Sequence, residues 1–191
     1  MTERTVLTVY FDKPGKQNTE RTLEIARARA EELAIRTILV ATTTGATGAL
    51  AGQFFPGYDV VAVTHSHGFR QPNTTEVLPE NRAAMEAAGV KILTCGHAFA
   101  GMSRAVRKKL GTYEVAEIIA HTLRIFGEGM KVVAEIALMA ADAGLARTDE
   151  PAISIAGTGR GADTAVVLRP ANTHNFFDLK ILEILCMPYR K

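Results

Sequence analysis

The apolar run Ile38-Leu39-Val40-Ala41 passes without a spacer into Thr42-Thr43-Thr44-Gly45-Ala46-Thr47, then into Gly48-Ala49-Leu50-Ala51. The first part reads as a buried strand and the last as a small-residue helix. Two more such units surround it. Thr5 to Phe11 is a β-branched and aromatic strand, Asp12 to Gln17 a Pro-Gly turn, and Asn18 is placed to cap a helix reaching about Leu33. After a helix over about Ala46 to Phe54 and a turn at Pro56-Gly57, Asp59 to Thr64 is apolar almost throughout, as a strand covered on both faces should be. A helix over about Pro79 to Ala88 then leads to a strand at Val90 to Thr94. Strand–helix units in series predict a parallel sheet with helices on both faces, an α/β class chain.

The pattern changes further on. Ala98 to Leu110, Tyr113 to Phe126 and Met130 to Ala143 read as three consecutive helices. Ala152 to Ala156, Thr164 to Leu168 and Ile181 to Met187 read as strands that extend or flank the sheet. At 191 residues the chain is read as a single domain, 1–191, with a core over about 1–110 and a helical and β elaboration over about 111–191.

The loop after Ala41 has the chemistry of an anion site. A helix N-terminus leaves backbone N–H groups unpaired and partly positive. Gly45 allows close backbone approach, and Thr42, Thr43, Thr44 and Thr47 each carry a hydroxyl beside Ala46. The alternative is an ordinary helix capped by Thr44. The second glycine loop, Gly157 to Asp163, reads equally as a hairpin turn or as part of a site. It holds Gly159, Arg160 and Gly161, with Arg160 suited to bidentate phosphate contact and Asp163 to an ion pair or a ligand hydrogen bond.

His65 to Val77 is a long polar loop, and such loops in compact domains are often functional. It begins at the end of a strand with Thr64, His65 and Ser66, then Gly68 and Phe69, and reads as the polar lining of a pocket. His65 and His67 alone do not make a zinc site, so no metal is expected. Asn172 to Asp178 is either a loop pinned by Phe176 and Phe177 or the wall of a planar ligand's pocket. Glu135, on an otherwise apolar helix, is either a structural hydrogen-bond acceptor or a general base.

Composition excludes some classes. A formal charge of +2, with basic residues spread along the chain, argues against nucleic acid as a partner. The densest basic stretch, Arg104, Arg107, Lys108 and Lys109, reads as a solvated helix face or as a patch for an anionic ligand. No signal-peptide pattern opens the chain, and the longest apolar helix is too short and too charged to span a membrane. A cytoplasmic protein is expected, with Cys95 and Cys186 reduced and largely buried. The apolar content of Tyr113 to Ala143 exceeds what a monomer covers, which predicts a homo-oligomer.

The segment Ile38 to Thr64 resembles the C-terminal domain of pyruvate kinase. There a strand leads to a Thr/Ser-Gly loop, a helix, an Arg-Pro pair and a strand ending Ile-Ala-Val-Thr. Here these are Thr42-Thr43-Thr44-Gly45-Ala46-Thr47, Phe55-Pro56 in place of Arg-Pro, and Val60-Val61-Ala62-Val63-Thr64. In that family the loop takes a phosphate of the allosteric sugar bisphosphate. The whole chain is similar to a family of small stand-alone microbial proteins, uncharacterised and pyruvate kinase alpha/beta-domain-like. The shared phrases are Tyr10 to Gly15, Asn18-Thr19-Glu20, Lys131 to Ile136, Met139 to Gly144, Arg160 to Val167 and Asn175 to Asp178.

The resemblance implies a three-layer α/β/α sandwich with a mostly parallel, mixed sheet and a C-terminal elaboration. It suggests a phosphorylated ligand, most simply flavin mononucleotide (FMN). The phosphate would sit on Thr42 to Thr47, and the ring against the His65 to Phe69 loop, the glycine loop running to Asp163 and Thr164, or Phe176-Phe177. A non-redox sensor of a phosphorylated metabolite and an enzyme acting on a phosphorylated substrate are the alternatives. Pyruvate kinase activity is not implied, because the barrel that carries it has no counterpart here.

Overall fold

The computed structural model describes residues 3–189. The strands are β1 (Val9–Phe11), β2 (Thr37–Ala41), β3 (Asp59–Val63), β4 (Lys91–Leu93), β5 (Ala152–Ala156), β6 (Thr164–Arg169) and β7 (Lys180–Pro188). The helices are α1 (Thr19–Glu32), α2 (Ala46–Phe54), α3 (Pro79–Ala87), α4 (Gly101–Leu110), α5 (Val115–Leu123) and α6 (Glu128–Asp142). Among the described residues, all seven strands form a single sheet in the order β1-β7-β6-β5-β2-β3-β4. The pairs β1–β7, β5–β2, β2–β3 and β3–β4 are parallel, and β6 runs against both of its neighbours.

Side-chain alternation explains the layers. Ile38 and Val40 of β2 enter the core beneath α1, α2 and α3, while Leu39 enters the one beneath α6. On β3, Val60 and Ala62 take the first side and Val61 and Val63 the second. A strand in the middle of three layers therefore has no polar face, which is why these runs are apolar without alternation. Ser154 on β5 is the polar interruption, and its hydroxyl donates to the Val133 carbonyl of α6 at 2.9 Å. A third cluster, Phe99, Ala120, Ala134, Leu138 and Ala171, packs the outer side of α6.

The α/β class with a mixed, mostly parallel sheet is as expected, but the strand order corrects one reading. The C-terminal strands do not flank the sheet. They fill its centre, so β1 and β2 lie four places apart and β1 pairs with β7 through Val9 and Cys186. β1 is also shorter than Thr5 to Phe11, and it is an edge strand. Asn18 holds the N-cap position of α1 as expected but makes no capping bond: its side chain donates to the Lys13 carbonyl at 2.7 Å, bracing the turn. Thr44 is not the cap of α2. Gly45 holds that position with φ 90°, and an added Cβ would lie 2.7 Å from Cβ of Asn81. Cys186 is buried, whereas Cys95 is only half-buried. The expected helix to Phe126 ends at Leu123 and tightens into a 3-10 turn over Arg124–Phe126. No helix of the described residues is long and apolar enough to cross a membrane.

Candidate functional site

The carboxyl ends of β1, β2, β3 and β5 lie along one edge of the sheet, and the loops that leave them surround a cavity of about 870 Å³. That volume falls in the range of small-molecule sites. β2 hands its chain to α2 on one face, while β5 arrives from α6 on the other. The crevice between two neighbouring strands whose helices diverge is where open α/β sheets take ligands.

One end of the cavity is polar and cationic. Thr42, Thr43, Thr44, Ala46 and Thr47 line it, with Lys16, Gln17, Thr19 and Glu20 of the β1–α1 turn and Gly157, Gly159, Arg160 and Gly161 of the β5–β6 loop. The first backbone bond of α2 runs from Ala49 N–H to the Gly45 carbonyl, which leaves the preceding amides free of the helix ladder. Among the described residues, none of the four threonine hydroxyls bonds to the protein. That of Thr42 is sealed from solvent and still has no partner. A buried hydroxyl without a partner costs roughly 1–3 kcal/mol. Lys16 and Arg160 have no carboxylate partner among the described residues.

The other end is aromatic and ionic. The rings of His65 and Phe69 stack at 4.0 Å and 28°, and those of Phe69 and His97 at 5.1 Å and 21°. The Arg104 guanidinium lies 5.1 Å from the centre of the Phe69 ring. Nδ1 of His65 is 2.6 Å from Oε2 of Glu76, which ties the long loop back to the end of β3. Beneath the rings, Glu135 is buried and paired with Lys131, one helical turn before it on α6. Its Oε1 accepts the Phe99 N–H at 3.0 Å. Ser66 N–H donates to Nε2 of His97 at 3.3 Å, leaving the ring proton on Nδ1, 3.6 Å from Oε2 of Glu135. Burial pushes the Glu135 carboxyl up, but His97 and Lys131 outweigh it and hold it at about 2. Paired with Lys131 and accepting the Phe99 N–H, Glu135 has the contacts of a structural hydrogen-bond acceptor.

Of the expected site residues, Thr42, Thr43, Thr44, Ala46, Thr47, Thr64, His65, Phe69, Gly159, Arg160 and Gly161 line one cavity. Five do not reach it. Gly45 faces Asn81, Met85 and Val77 beneath α3. Ser66 acts through its N–H on His97, and Gly68 turns the exposed loop with φ 77°. Asp163 does not pair with Arg160. Fully buried, it accepts the N–H groups of Gly15 at 2.9 Å and Thr158 at 3.1 Å, stapling the two loops that present Lys16 and Arg160. Thr164 donates to Asp163 Oδ1 at 2.9 Å. Phe176 packs edge-on against Phe99, and Thr173 and Asn172 bond to Asp142, so the 172–178 loop is pinned by its own contacts, away from the cavity. Among the described residues, no three of His, Cys, Asp and Glu are grouped to hold a metal ion.

Sequence reasoning missed Lys16, Gln17, Glu20, His97, Arg124 and Lys131, while Arg104, read as part of a solvated face or an anion patch, also lines the cavity. A signal existed for some of them, since Asn18-Thr19-Glu20 and Lys131 to Ile136 belong to the shared phrases. Nothing local could have brought Arg104 and Arg124 to this wall.

Residues 20–168 match the family described as pyruvate kinase, alpha/beta domain. Similar solved structures include Cryptosporidium parvum pyruvate kinase in complex with ADP, 18% identical over 78% of this chain and 24% of that one, with a TM-score of 0.40. Another solved structure of a pyruvate kinase from Cryptosporidium parvum is 17% identical over 76% of this chain and 22% of that one, with a TM-score of 0.37. The chain thus spans about a quarter of the length of the kinases it matches.

Proposed function

This chain belongs to the pyruvate kinase alpha/beta domain family, and on that premise we propose that it binds a phosphorylated small molecule, with FMN the first candidate. One observation carries the reading: a single cavity joins an anion-ready helix end to a cluster of near-parallel rings. The phosphate belongs at the α2 N-terminus, where free amides, threonine hydroxyls, Lys16 and Arg160 converge. The planar part belongs beside His65, Phe69 and His97. The residues present fit FMN in three respects: cavity volume, an unpartnered hydroxyl at the phosphate end, and aromatic surface at the other. When bound, FMN supplies hydride and one-electron chemistry. The chain's own residues bind and orient it, and α6 closes the site from above with Val132, Ile136 and Met139.

Sensing of a non-flavin phosphorylated metabolite is the second reading. It is favoured by the position of Phe69, which already occupies the ring cluster. Native mass spectrometry with visible spectroscopy on freshly purified protein separates the two. A yellow preparation that bleaches with dithionite and carries one FMN mass per chain is the expected result. A colourless protein that also refuses added FMN removes the flavin. Failure to bind inorganic phosphate as well removes the phosphorylated-ligand reading altogether.

A further inference from the structure

Arg104, Arg124 and Lys131 line the main cavity and also a smaller one of about 190 Å³, whose wall they share with Arg107, Tyr113 and Glu117. The basic stretch of α4 is thereby divided: Lys108 and Lys109 stay in solvent, while Arg104 and Arg107 turn to this pocket. Arg107 gives its Nε to Glu117 at 2.8 Å, Arg124 pairs with Glu128, and Lys131 pairs with Glu135. Arg104 has no carboxylate partner among the described residues and only the face of Phe69 beside it. Three acids against four cations leave one positive charge in excess. A guanidinium has five N–H donors and one carboxylate takes at most two of them, so Arg107 and Arg124 also keep donors to spare. Oε2 of Glu117 is buried there without a partner, an acceptor still waiting for a donor.

We propose that this side pocket is a second acidic-group subsite, taking an oxyanion-sized phosphate or carboxylate next to the ring cluster of the main cavity. The volume admits such a group with room to spare. The fork geometry of Arg104 and Arg107 suits two oxygens at once, and an acidic group that also carries a hydroxyl would satisfy Glu117. The group arrives either as a separate small acid or as the far end of the ligand seated on the threonine loop. The inference rests on the reading of the main cavity but is tested apart from it.

Calorimetric titration with inorganic phosphate is the experiment, on the full chain at low ionic strength. The intact protein is expected to bind two phosphates. Thr44→Val with Thr47→Val should lose one of them, and Arg104→Gln should weaken the other at least tenfold. Arg107→Lys, which keeps the charge facing Glu117 and removes the fork, should do the same if Arg104→Gln unfolds the chain. Thermal melts of each variant verify folding. A single phosphate lost only with the threonines overturns the subsite and leaves the main reading intact. A single phosphate lost only with the arginines does the reverse, and no binding at all overturns both. In FMN-saturated protein one phosphate should remain, because the flavin end of FMN carries no acidic group to fill the subsite; none remaining would overturn a subsite for a separate acid.

Discussion

Two groups of residues dominate the site, and each makes a distinct demand. The threonines of the α2 loop offer hydroxyls that no described residue uses, so their value is read with a ligand present. Charge-assisted hydrogen bonds are worth about 1.5–3 kcal/mol each. Replacing Thr44 and Thr47 by Val should therefore cost on the order of a hundredfold or more in phosphate affinity, read by calorimetry with little change in melting temperature. Glu135 makes the opposite demand, since its partners are already present. Its carboxyl is held at about 2 in the folded chain, against about 4.3 in an unfolded one. A depressed folded value stabilises above the unfolded value, and this contribution is lost as pH falls from about 4 towards 2. Denaturant unfolding from pH 7 down to 3 should show that loss. Glu135→Gln should flatten the acid limb, and at neutral pH it should lower stability by about 3 kcal/mol or more, because Lys131 is left buried without its counter-charge. An unchanged acid limb in the variant would mean that Glu135 is not held low.

Among the elements, α2 is decisive because of how closely it sits on the sheet. A Cβ on Gly48 would lie 2.5 Å from Sδ of Met85, 3.0 Å from Cβ of Ala62 and 3.4 Å from Cγ2 of Thr42. Helix propensity favours Ala over Gly by about 1 kcal/mol. The crowding outweighs it, because Ala62 is fixed in β3 and overpacking costs about 1–3 kcal/mol. Gly48→Ala should therefore destabilise the chain, read as a lower melting temperature; a variant more stable than the parent would refute the close approach. The staple at Asp163 works across elements in the same way. Asp163→Ala orphans the amides of Gly15 and Thr158, which should cost about 2–6 kcal/mol at roughly 1–3 per group. Hydrogen exchange should rise in both the β1–α1 turn and the β5–β6 loop together.

At the scale of the whole molecule, the helical layer outside α6 is less complete than the rest. Val115, Ile118 and Ile125 stand 70%, 55% and 68% exposed, and Phe126 is 50% exposed. With Thr122 they trace one stripe at helical spacing along α5 and the turn that follows. Val133, Ile136 and Leu138, in the same apolar stretch of sequence, are spent in the core. A two-fold partner of the same chain would lay like stripe against like stripe. Sedimentation at micromolar concentration should show a dimer that Ile118→Asp with Ile125→Asp converts to monomer. A monomeric parent would count against self-association.

What the sequence determined by itself is what local periodicity can carry. Apolar runs without alternation marked β2 and β3 as strands covered on both faces. Glycine punctuation marked most helix ends, and the hydroxyl-rich loop after Ala41 was marked by its own composition. β1 was overdrawn: only Val9–Phe11 pair with the end of β7, at Cys186–Pro188, and β propensity in the residues before them does not say where a ladder partner stops. The order of strands was decided only in three dimensions. Pairing β1 with β7 joins residues far apart in sequence through backbone hydrogen bonds that any side chain permits, so no local pattern records it. That pairing leaves α1 running over β5 and β6, which brings Lys16 to the threonine loop. The packing of α4 on α5, and of α5 on α6, likewise brings Arg104 and Arg107 to Lys131. Residue chemistry was legible one position at a time; which charges converge, and which are already neutralised by a buried partner, is a property of tertiary distance.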